Sequence, residues 1–223
     1  MPISLSQAIV GAICGVGLAT NRMQWELLGK VGVCWVATPV GAMAMACGVY
    51  ALLRAVLTRV PMSMLTRDKI LWGGLLVFGV YGSYALGANN VANATGIFAG
   101  QVSSLTDGQL ALLGGGAIAL GVITYGKRIM LAVGSGIIPL DAFTSLVAVA
   151  AMSITVHVFA MVGVPVSTSQ GIVGAILGIG LMRGVQAVHF RALQNIAIGW
   201  VMTPAVALIL AAAGYAIVTG RLQ

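Results

Sequence analysis

The sequence predicts an all-α integral membrane protein, a helical bundle built from repeats with broken or re-entrant helices, in which the first repeat is partial. Two observations predict this fold class. The chain is 60% hydrophobic and only 7% charged, with a mean hydropathy of +1.06, whereas soluble domains carry about a quarter charged residues. A 17-residue stretch also occurs twice, which indicates an internal duplication. The composition excludes a soluble domain, because its polar residues could not cover a core in water.

The duplicated stretch reads PVSTSQGIVGAILGIGL at Pro165–Leu181 and PISLSQAIVGAICGVGL at Pro2–Leu18. The two copies match at 12 of 17 positions, including the proline, two serines, the glutamine and three glycines. The similarity continues in a Trp-x-x-x-Pro pattern at residues 35–39 and 200–204. A two-residue insertion between the stretch and this pattern explains their slightly different spacing.

This similarity predicts two parts in the chain. Residues 1–69 are expected to be the rear part of a first repeat with a basic loop, and residues 70–223 the second repeat. The first copy of the stretch begins at residue 2, so nothing in this sequence corresponds to residues 70–164. We expect the counterpart of that segment in a preceding segment or in a separate chain.

Apolar runs predict the membrane segments in chain order. Ile3–Leu18 is short for a span, so its glycines indicate close packing or a re-entrant half-helix. The predicted spans are Lys30–Leu53 with a kink at Pro39, Ile70–Leu86, Gln109–Tyr125, Ala142–Val162 and Ala192–Ala216. Ile129–Leu140 is expected to be a connector, and Asp141 the N-cap of the span that follows it.

The net charge of +7 is distributed among the ends of the apolar runs. Four cations and one acid lie in Arg54–Lys69, and the positive-inside rule predicts that this loop faces the cytoplasm. The sequence contains no basic run with interleaved aromatic residues, so it does not predict nucleic-acid binding. The three cysteines have no paired spacing and no zinc-type cluster is present, so neither a cofactor nor a structural metal is expected.

Two polar clusters interrupt the apolar segments. The first is GANNVANATG at residues 87–96, with Asn89, Asn90 and Asn93. The second is the duplicated stretch, whose hydroxyl side chains are Ser167, Thr168 and Ser169 in one copy and Ser4 and Ser6 in the other. Polar residues are costly in hydrocarbon, so such clusters line a cavity or pathway. Their glycine and proline neighbours predict broken helices, and paired broken helices in repeats indicate a secondary transporter.

The chemistry of these clusters predicts the class of cargo. The hydroxyls of residues 167–169 follow a proline and precede a helical run, so we expect them at a helix N-terminus, where free N–H groups bind oxyanions. Asparagine offers N–H donors to an anion and a carbonyl oxygen to a cation. The sequence therefore predicts a cation-coupled oxyanion carrier. The alternative is that these hydroxyls bond only to helix backbones and that the glycines serve packing alone.

Other polar residues within the apolar segments are few. His157 lies in the predicted span 142–162. We expect a neutral imidazole that is hydrogen-bonded between helices, and a proton relay is the alternative. All four acids lie at segment edges, and no HExxH motif is present. The sequence therefore does not predict an enzyme.

GANNVANATG and PVSTSQGIVGAILGIGL resemble the two signature elements of the PiT inorganic phosphate transporter family, which usually read GANDVANA and PVSTTH, once in each of two inverted repeats. The resemblance covers nearly the whole chain. It implies a helical bundle with inverted repeats that moves inorganic phosphate across the plasma or inner membrane, coupled to Na⁺ or H⁺. The implied substrate site comprises Ser167, Thr168, Ser169, Ser4, Ser6 and Asn89, and the implied cation site Asn89, Asn90 and Asn93.

The chain departs from the family pattern at four positions. Asn90 stands where aspartate is usual, Gln170 and Gln7 stand where histidine is common, and Leu5 replaces a threonine. We keep both glutamines and His157 as further candidate site residues. The double asparagine resembles the sulfate-permease branch of the family, so a sulfate permease is the alternative function. A non-transporting fragment, or a half-transporter that needs a partner chain or a second copy of itself, is the other alternative.

Overall fold

The computed structural model describes residues 4–102, 104–134, 140–184 and 190–220. Every regular element in these ranges is an α-helix. The seven helices are α1 Leu5–Ala19, α2 Trp25–Arg59, α3 Met64–Thr95, α4 Asp107–Gly134, α5 Ala142–Val162, α6 Thr168–Arg183 and α7 Phe190–Val218. Five of them, α2, α3, α4, α5 and α7, are long and apolar enough to cross a membrane. The predicted all-helical membrane architecture is confirmed.

Two helices extend beyond the apolar runs that predicted them. α2 begins at Trp25 and continues to Arg59, so that residues 60–63 alone separate it from α3. α4 continues to Gly134, so the prediction of a connector from Ile129 was wrong over its first six residues. Arginine and lysine are good helix formers, and their long side chains carry the charge into water, so a helix need not end where hydropathy falls. Residues 135–139 of that connector lie outside the described residues.

The asparagine motif lies inside a continuous helix. Residues 87–95 form the last turns of α3, which ends at Gly96. The expected break in the helix at this motif is therefore wrong. A glycine in a helix costs only about 0.5–1 kcal/mol relative to alanine. The cost of Gly87 is therefore smaller than the stabilisation that packing gives to so long a helix.

Both short helices begin on serine N-caps. The Oγ of Ser4 accepts a hydrogen bond from the backbone N–H of Gln7 at 3.3 Å, and α1 follows. The Oγ of Ser167 accepts from the backbone N–H of Gln170 at 3.3 Å, and α6 follows. Each cap satisfies one of the N–H groups that a helix start leaves unpaired. The two copies of the duplicated stretch thus adopt the same local structure.

The predicted N-cap of α5 is also confirmed. Asp141 forms a capping box with Thr144, in which each side chain bonds to the backbone N–H of the other residue. α5 is the central helix of the bundle. In its apolar window 44% of the residues are buried, against 17% or less in the other four long helices. Val147 and Ala151 of α5 pack with Ile176 and Ile179 of α6 in the main core cluster.

Each short helix packs against the long helix of the other repeat copy. A Cβ atom on Gly11 of α1 would lie 2.4 Å from the carbonyl oxygen of Pro204 in α7. A Cβ atom on Gly174 of α6 would lie 2.2 Å from the carbonyl oxygen of Pro39 in α2. Only glycine allows two backbones to approach this closely. The copies are therefore interlocked, since α1 pairs with α7 and α6 pairs with α2.

The next helical turn repeats this pattern and sets the helix directions. Gly15 lies against Leu208, and Gly178 lies against Met43. Residue numbers thus rise together on both helices of each pair. α1 therefore runs parallel to α7, and α6 runs parallel to α2.

Candidate functional site

The N-terminal ends of α1 and α6 meet inside the bundle. The hydroxyl of Ser6, in the first turn of α1, donates a hydrogen bond to the carbonyl oxygen of Val166 at 2.7 Å. Val166 directly precedes the Ser167 cap of α6, and all three residues are buried. Two helix starts, each with unpaired N–H groups and the positive end of its dipole, thus converge on one place. We call the residues at this junction, together with the α3 asparagines that contact it, the junction site.

Asn89 of α3 holds the extended backbone just before α6. Its Nδ2 donates to the carbonyl oxygen of Val166 at 2.8 Å, and its Oδ1 accepts from the N–H of Val166 at 3.3 Å. The same Nδ2 donates to Oδ1 of Asn90 at 3.0 Å. Both N–H donors of the Asn89 amide are therefore used. With 4% of its surface exposed, Asn89 supplies the backbone hydrogen bonds that a non-helical buried residue lacks.

Asn93 links α3 to the other short helix. Its Nδ2 donates to the Oγ of Ser6 at 2.9 Å. The Ser6 hydroxyl thus accepts from Asn93 and donates to Val166 at the same time. Successive turns of α3 contact both short helices, Asn89 on the α6 side and Asn93 on the α1 side.

The hydroxyls of α6 are less fully engaged. The Oγ atoms of Ser167 and Ser169 lie 2.8 Å apart and share a hydrogen bond. Thr168 and Ser169 are half-buried, as are Asn90 and Asn93. These half-buried groups, rather than the buried Asn89 and Ser6, are the ones placed to contact a ligand. All the asparagines and hydroxyls predicted to form a site belong to this region of the molecule or to the N-caps beside it.

Two buried glutamines lack partners for their carbonyl oxygens. Among the described residues, Oε1 of Gln7 and Oε1 of Gln170 accept no hydrogen bond, and Nε1 of Trp35 and Nε1 of Trp200 donate none. Four residues before the glycine–proline contacts on both helices, the register places Gln7 at the level of Trp200 and Gln170 at the level of Trp35. Each of these two levels thus holds a buried acceptor and a buried donor without a partner, which is typical of a place where water completes the hydrogen bonds.

Sequence reasoning did not include these tryptophans among the site residues. The signal was present, because Trp35 and Trp200 recur four residues before the matching prolines. The sequence did not indicate that α1 pairs with α7 and α6 with α2. This pairing places each tryptophan at the level of the glutamine of the other copy.

His157 lies apart from these contacts, between α5 and α3. Its Nδ1 lies 2.6 Å from the hydroxyl oxygen of Tyr81. The rings of Tyr81 and Tyr84 both meet the imidazole edge-on, with centroids 5.4 Å away. The expected hydrogen bond between helices is present. Within the described ranges, no three His, Cys, Asp or Glu side chains cluster as metal ligands.

The model of the phosphate transporter family matches residues 1–211 of this chain. The chain belongs to the phosphate transporter family. It is accordingly a multi-pass membrane protein of a transporter family and not an enzyme.

Permeases from other organisms are similar to the chain. It is 29% identical over 210 residues to the "Putative phosphate permease MJ0630" of Methanocaldococcus jannaschii, covering 94% of this chain and 66% of that protein. It is 30% identical over 205 residues to the sulfate permease CysP of Bacillus subtilis, covering 92% of this chain and 57% of that protein. The chain thus spans no more than about two thirds of either relative.

A solved structure has the same fold. The structure titled "The sodium-dependent phosphate transporter" superposes with a TM-score of 0.84 at 21% identity, covering 98% of this chain and 74% of that chain. At this identity the likeness concerns the fold alone, and it includes the short helices as well as the five long ones.

Proposed function

We propose that this chain forms one part of a secondary transporter that moves inorganic phosphate, coupled to a cation, through the junction site. One observation carries the proposal: two helix N-termini meet beside the asparagines of α3. The hydrogen bonds from Ser6 to Val166 and from Asn93 to Ser6 hold them together. Membership of the phosphate transporter family supports the same cargo. Sulfate is the competing substrate, because CysP is named a sulfate permease.

In this proposal the two repeats are inverted, and α1 and α6 are re-entrant half-helices. The N-termini of α1 and α6 meet while each helix runs parallel to a different long helix. In an inverted arrangement, these two helices lead away from their common start to opposite ends of the bundle. Residues 1–69 then belong to the first repeat and residues 70–223 to the second. This arrangement supports a binding site near the middle of the membrane.

The anion is bound by helix starts and hydroxyls in this proposal. Ser167, Thr168 and Ser169 offer O–H donors, because the hydroxyl hydrogens of Ser167 and Ser169, which now share one bond, can turn toward the anion. The first turns of α1 and α6 offer backbone N–H groups. Ser4 and Ser167 also hold these turns in place as N-caps through their side-chain oxygens. No lysine or arginine occurs in residues 2–18 or 165–181. The charge of the anion is therefore offset by the two helix dipoles and by a co-bound cation.

The cation is bound by amide oxygens. Asn90 and Asn93 are half-buried next to the helix starts, and the unpartnered Oε1 atoms of Gln7 and Gln170 add two acceptors in the same first turns. Sodium is the first candidate, since the solved structure with this fold is titled sodium-dependent. Protons are the alternative, with His157 as the group that would carry them.

The experiment is uptake of labelled phosphate by vesicles containing the protein, with and without a sodium gradient and with sulfate as competitor. Ser167→Gly removes the hydroxyl while preserving most of the N-cap, since glycine is only a few tenths of a kcal/mol worse there. We expect a loss of uptake of about tenfold or more. Ser63→Gly is the matched control, because Ser63 caps α3 by the same bond away from the junction site.

The outcomes separate the alternatives. Undiminished uptake by Ser167→Gly would contradict the assignment of the anion site. Stronger uptake of sulfate than of phosphate would favour a sulfate permease. Transport of neither anion by the chain alone would favour a half-transporter, an alternative supported by its coverage of 66% and 57% of its relatives. The mass of the protein in detergent would then distinguish a homodimer from a monomer that needs a partner chain.

A further inference from the structure

A second polar cavity lies at the far end of α6 from the junction site. Its volume is about 460 Å³, and its charged and aromatic lining consists of Tyr50, Arg54, Arg67, Asp141, Phe143 and Arg183. We call it the arginine pocket. Arg183 ends α6, which begins after Ser167. At 1.5 Å per residue, the two ends of this 16-residue helix are about 24 Å apart. The pocket is therefore separate from the junction site.

The pocket gathers three guanidinium groups from three helices. Arg54 comes from α2, Arg67 from α3 and Arg183 from α6. Asp141 is the acid in its lining, and it forms an ion pair with Arg183. Within the described part of the chain, no acid forms an ion pair with Arg54 or Arg67. The lining thus carries a net charge of +2, which favours the binding of an anion.

Asp141 is not free to neutralise the other two arginines. Its Oδ1 accepts from the backbone N–H of Thr144 at 2.8 Å as the N-cap of α5, and its Oδ2 accepts from Arg183. Burial works to raise the pKa of the Asp141 carboxyl, but these hydrogen bonds outweigh it and hold that pKa below its usual value. The carboxylate is therefore committed to the cap and to one arginine.

Tyr50 and Phe143 form an aromatic inner wall of the pocket. Tyr50 is 8% exposed, and its ring meets that of Phe143 edge-on at 5.1 Å between centroids. The bond to Asp141 and the nearby Tyr50 hydroxyl raise the pKa of Arg183. Arg54 and Arg67 are exposed. An aromatic wall with exposed arginines beside it fits an anion that enters from the membrane surface.

We propose that the arginine pocket binds a phosphate group through Arg54, Arg67 and Arg183. The planar guanidinium fork matches phosphate oxygens in pairs, and a volume of about 460 Å³ lies within the range of roughly 300–1,000 Å³ typical of ligand sites. Two sources supply this chemistry. One is the headgroup of an anionic phospholipid, which basic pockets between membrane helices bind, and the other is free inorganic phosphate. The proposal does not depend on what the junction site carries.

The first arm of the test uses lipid. The purified full chain is exchanged into mixed micelles that contain phosphatidylglycerol, and native mass spectrometry counts the lipids retained. Each basic side chain at a membrane surface contributes about fivefold in affinity, so Arg54→Gln with Arg67→Gln should weaken retention about 30-fold. Arg59→Gln with Lys69→Gln is the matched control, because it removes the same number of charges from exposed residues of α2 and α3 that lie outside the pocket.

The second arm uses free phosphate. The same three proteins are placed in nanodiscs of phosphatidylcholine alone, and inorganic phosphate is titrated by calorimetry. A loss of binding specific to the pocket variant with Arg54→Gln and Arg67→Gln in the lipid arm identifies a phospholipid headgroup as the ligand. A specific loss in the phosphate arm identifies the free ion. Equal binding by the pocket variant and by the control variant with Arg59→Gln and Lys69→Gln in both arms would overturn the proposal. All four substituted residues are exposed, so folding is checked by size-exclusion profiles.

Discussion

Replacing Asn89 by alanine tests whether this side chain holds the start of α6. The change removes the donor to the Val166 carbonyl and the acceptor for the Val166 N–H. The carbonyl keeps its bond from Ser6, but the N–H is left without a partner in a residue that is 0% exposed.

The two losses differ in size. An unpaired buried N–H costs about 1–3 kcal/mol, and the lost bond to the carbonyl costs about 0.5–1.5 kcal/mol. These two losses should therefore lower the free energy of unfolding of Asn89→Ala by about 1.5–4.5 kcal/mol. For a chain of this size each kcal/mol lowers the unfolding midpoint by roughly 2–4 °C, so a decrease of roughly 3–18 °C is expected.

Asn90→Ala is the comparison. It removes the single bond that Asn90 accepts from Asn89, and Asn90 is half-buried, so the cost should not exceed about 1.5 kcal/mol. Thermal unfolding of both variants in the same detergent, followed by the loss of the monodisperse size-exclusion peak, gives the two midpoints. Equal midpoints for Asn89→Ala and Asn90→Ala would refute the role assigned to Asn89.

Three further predictions concern packing, His157 and pH. Gly174→Ala forces a methyl group into the α2 backbone and should cost about 1–3 kcal/mol in thermal unfolding, whereas Gly48→Ala, which meets open space, should cost nothing. Tyr81→Phe removes the hydrogen bond to His157 and should cost about 1 kcal/mol without moving the pH profile of uptake. A shifted profile would instead assign His157 to proton coupling. Asp141→Asn keeps the N-cap but loses an ion pair whose carboxylate is 55% exposed, so the loss at pH 7 should be at most about 1 kcal/mol. Because the pKa of Asp141 is lowered, its stabilising effect is present above pH ~4 and disappears as the pH falls through that lowered pKa. The unfolding midpoint of the asparagine variant should lack this dependence.

Features set by neighbouring residues could be predicted from the sequence. The N-caps Ser167 and Asp141 follow from a polar residue before an apolar helical run, and the two copies of the duplicated stretch share one conformation because they share local residues. The sequence predicted that the asparagines line a cavity or pathway, and in the structure Asn89 and Asn93 contact the residue before α6 and the first turn of α1. Their roles as ligands stay predictions, and in the structure Asn89 bonds to backbone.

Features that depend on distant contacts could not be predicted. Nothing in the pattern around Gly11 or Gly174 states which helix it meets, because a small residue permits close approach without choosing a partner. The continuity of α3 through Gly87 also depends on packing rather than on local propensity. The placement of Gln170 and Trp35 at the same level follows only from the pairing of α6 with α2.

The two helix pairs, α1 with α7 and α6 with α2, have equivalent contacts but form at different times during synthesis. Ribosomes deliver the chain from its N-terminus, and earlier parts begin to fold first. When α6 is made, the Pro39 backbone of α2 that its glycines contact is already in the membrane. Five helices lie between α1 and its partner α7. The glycine face of α1 therefore meets its partner only after those five helices have been made.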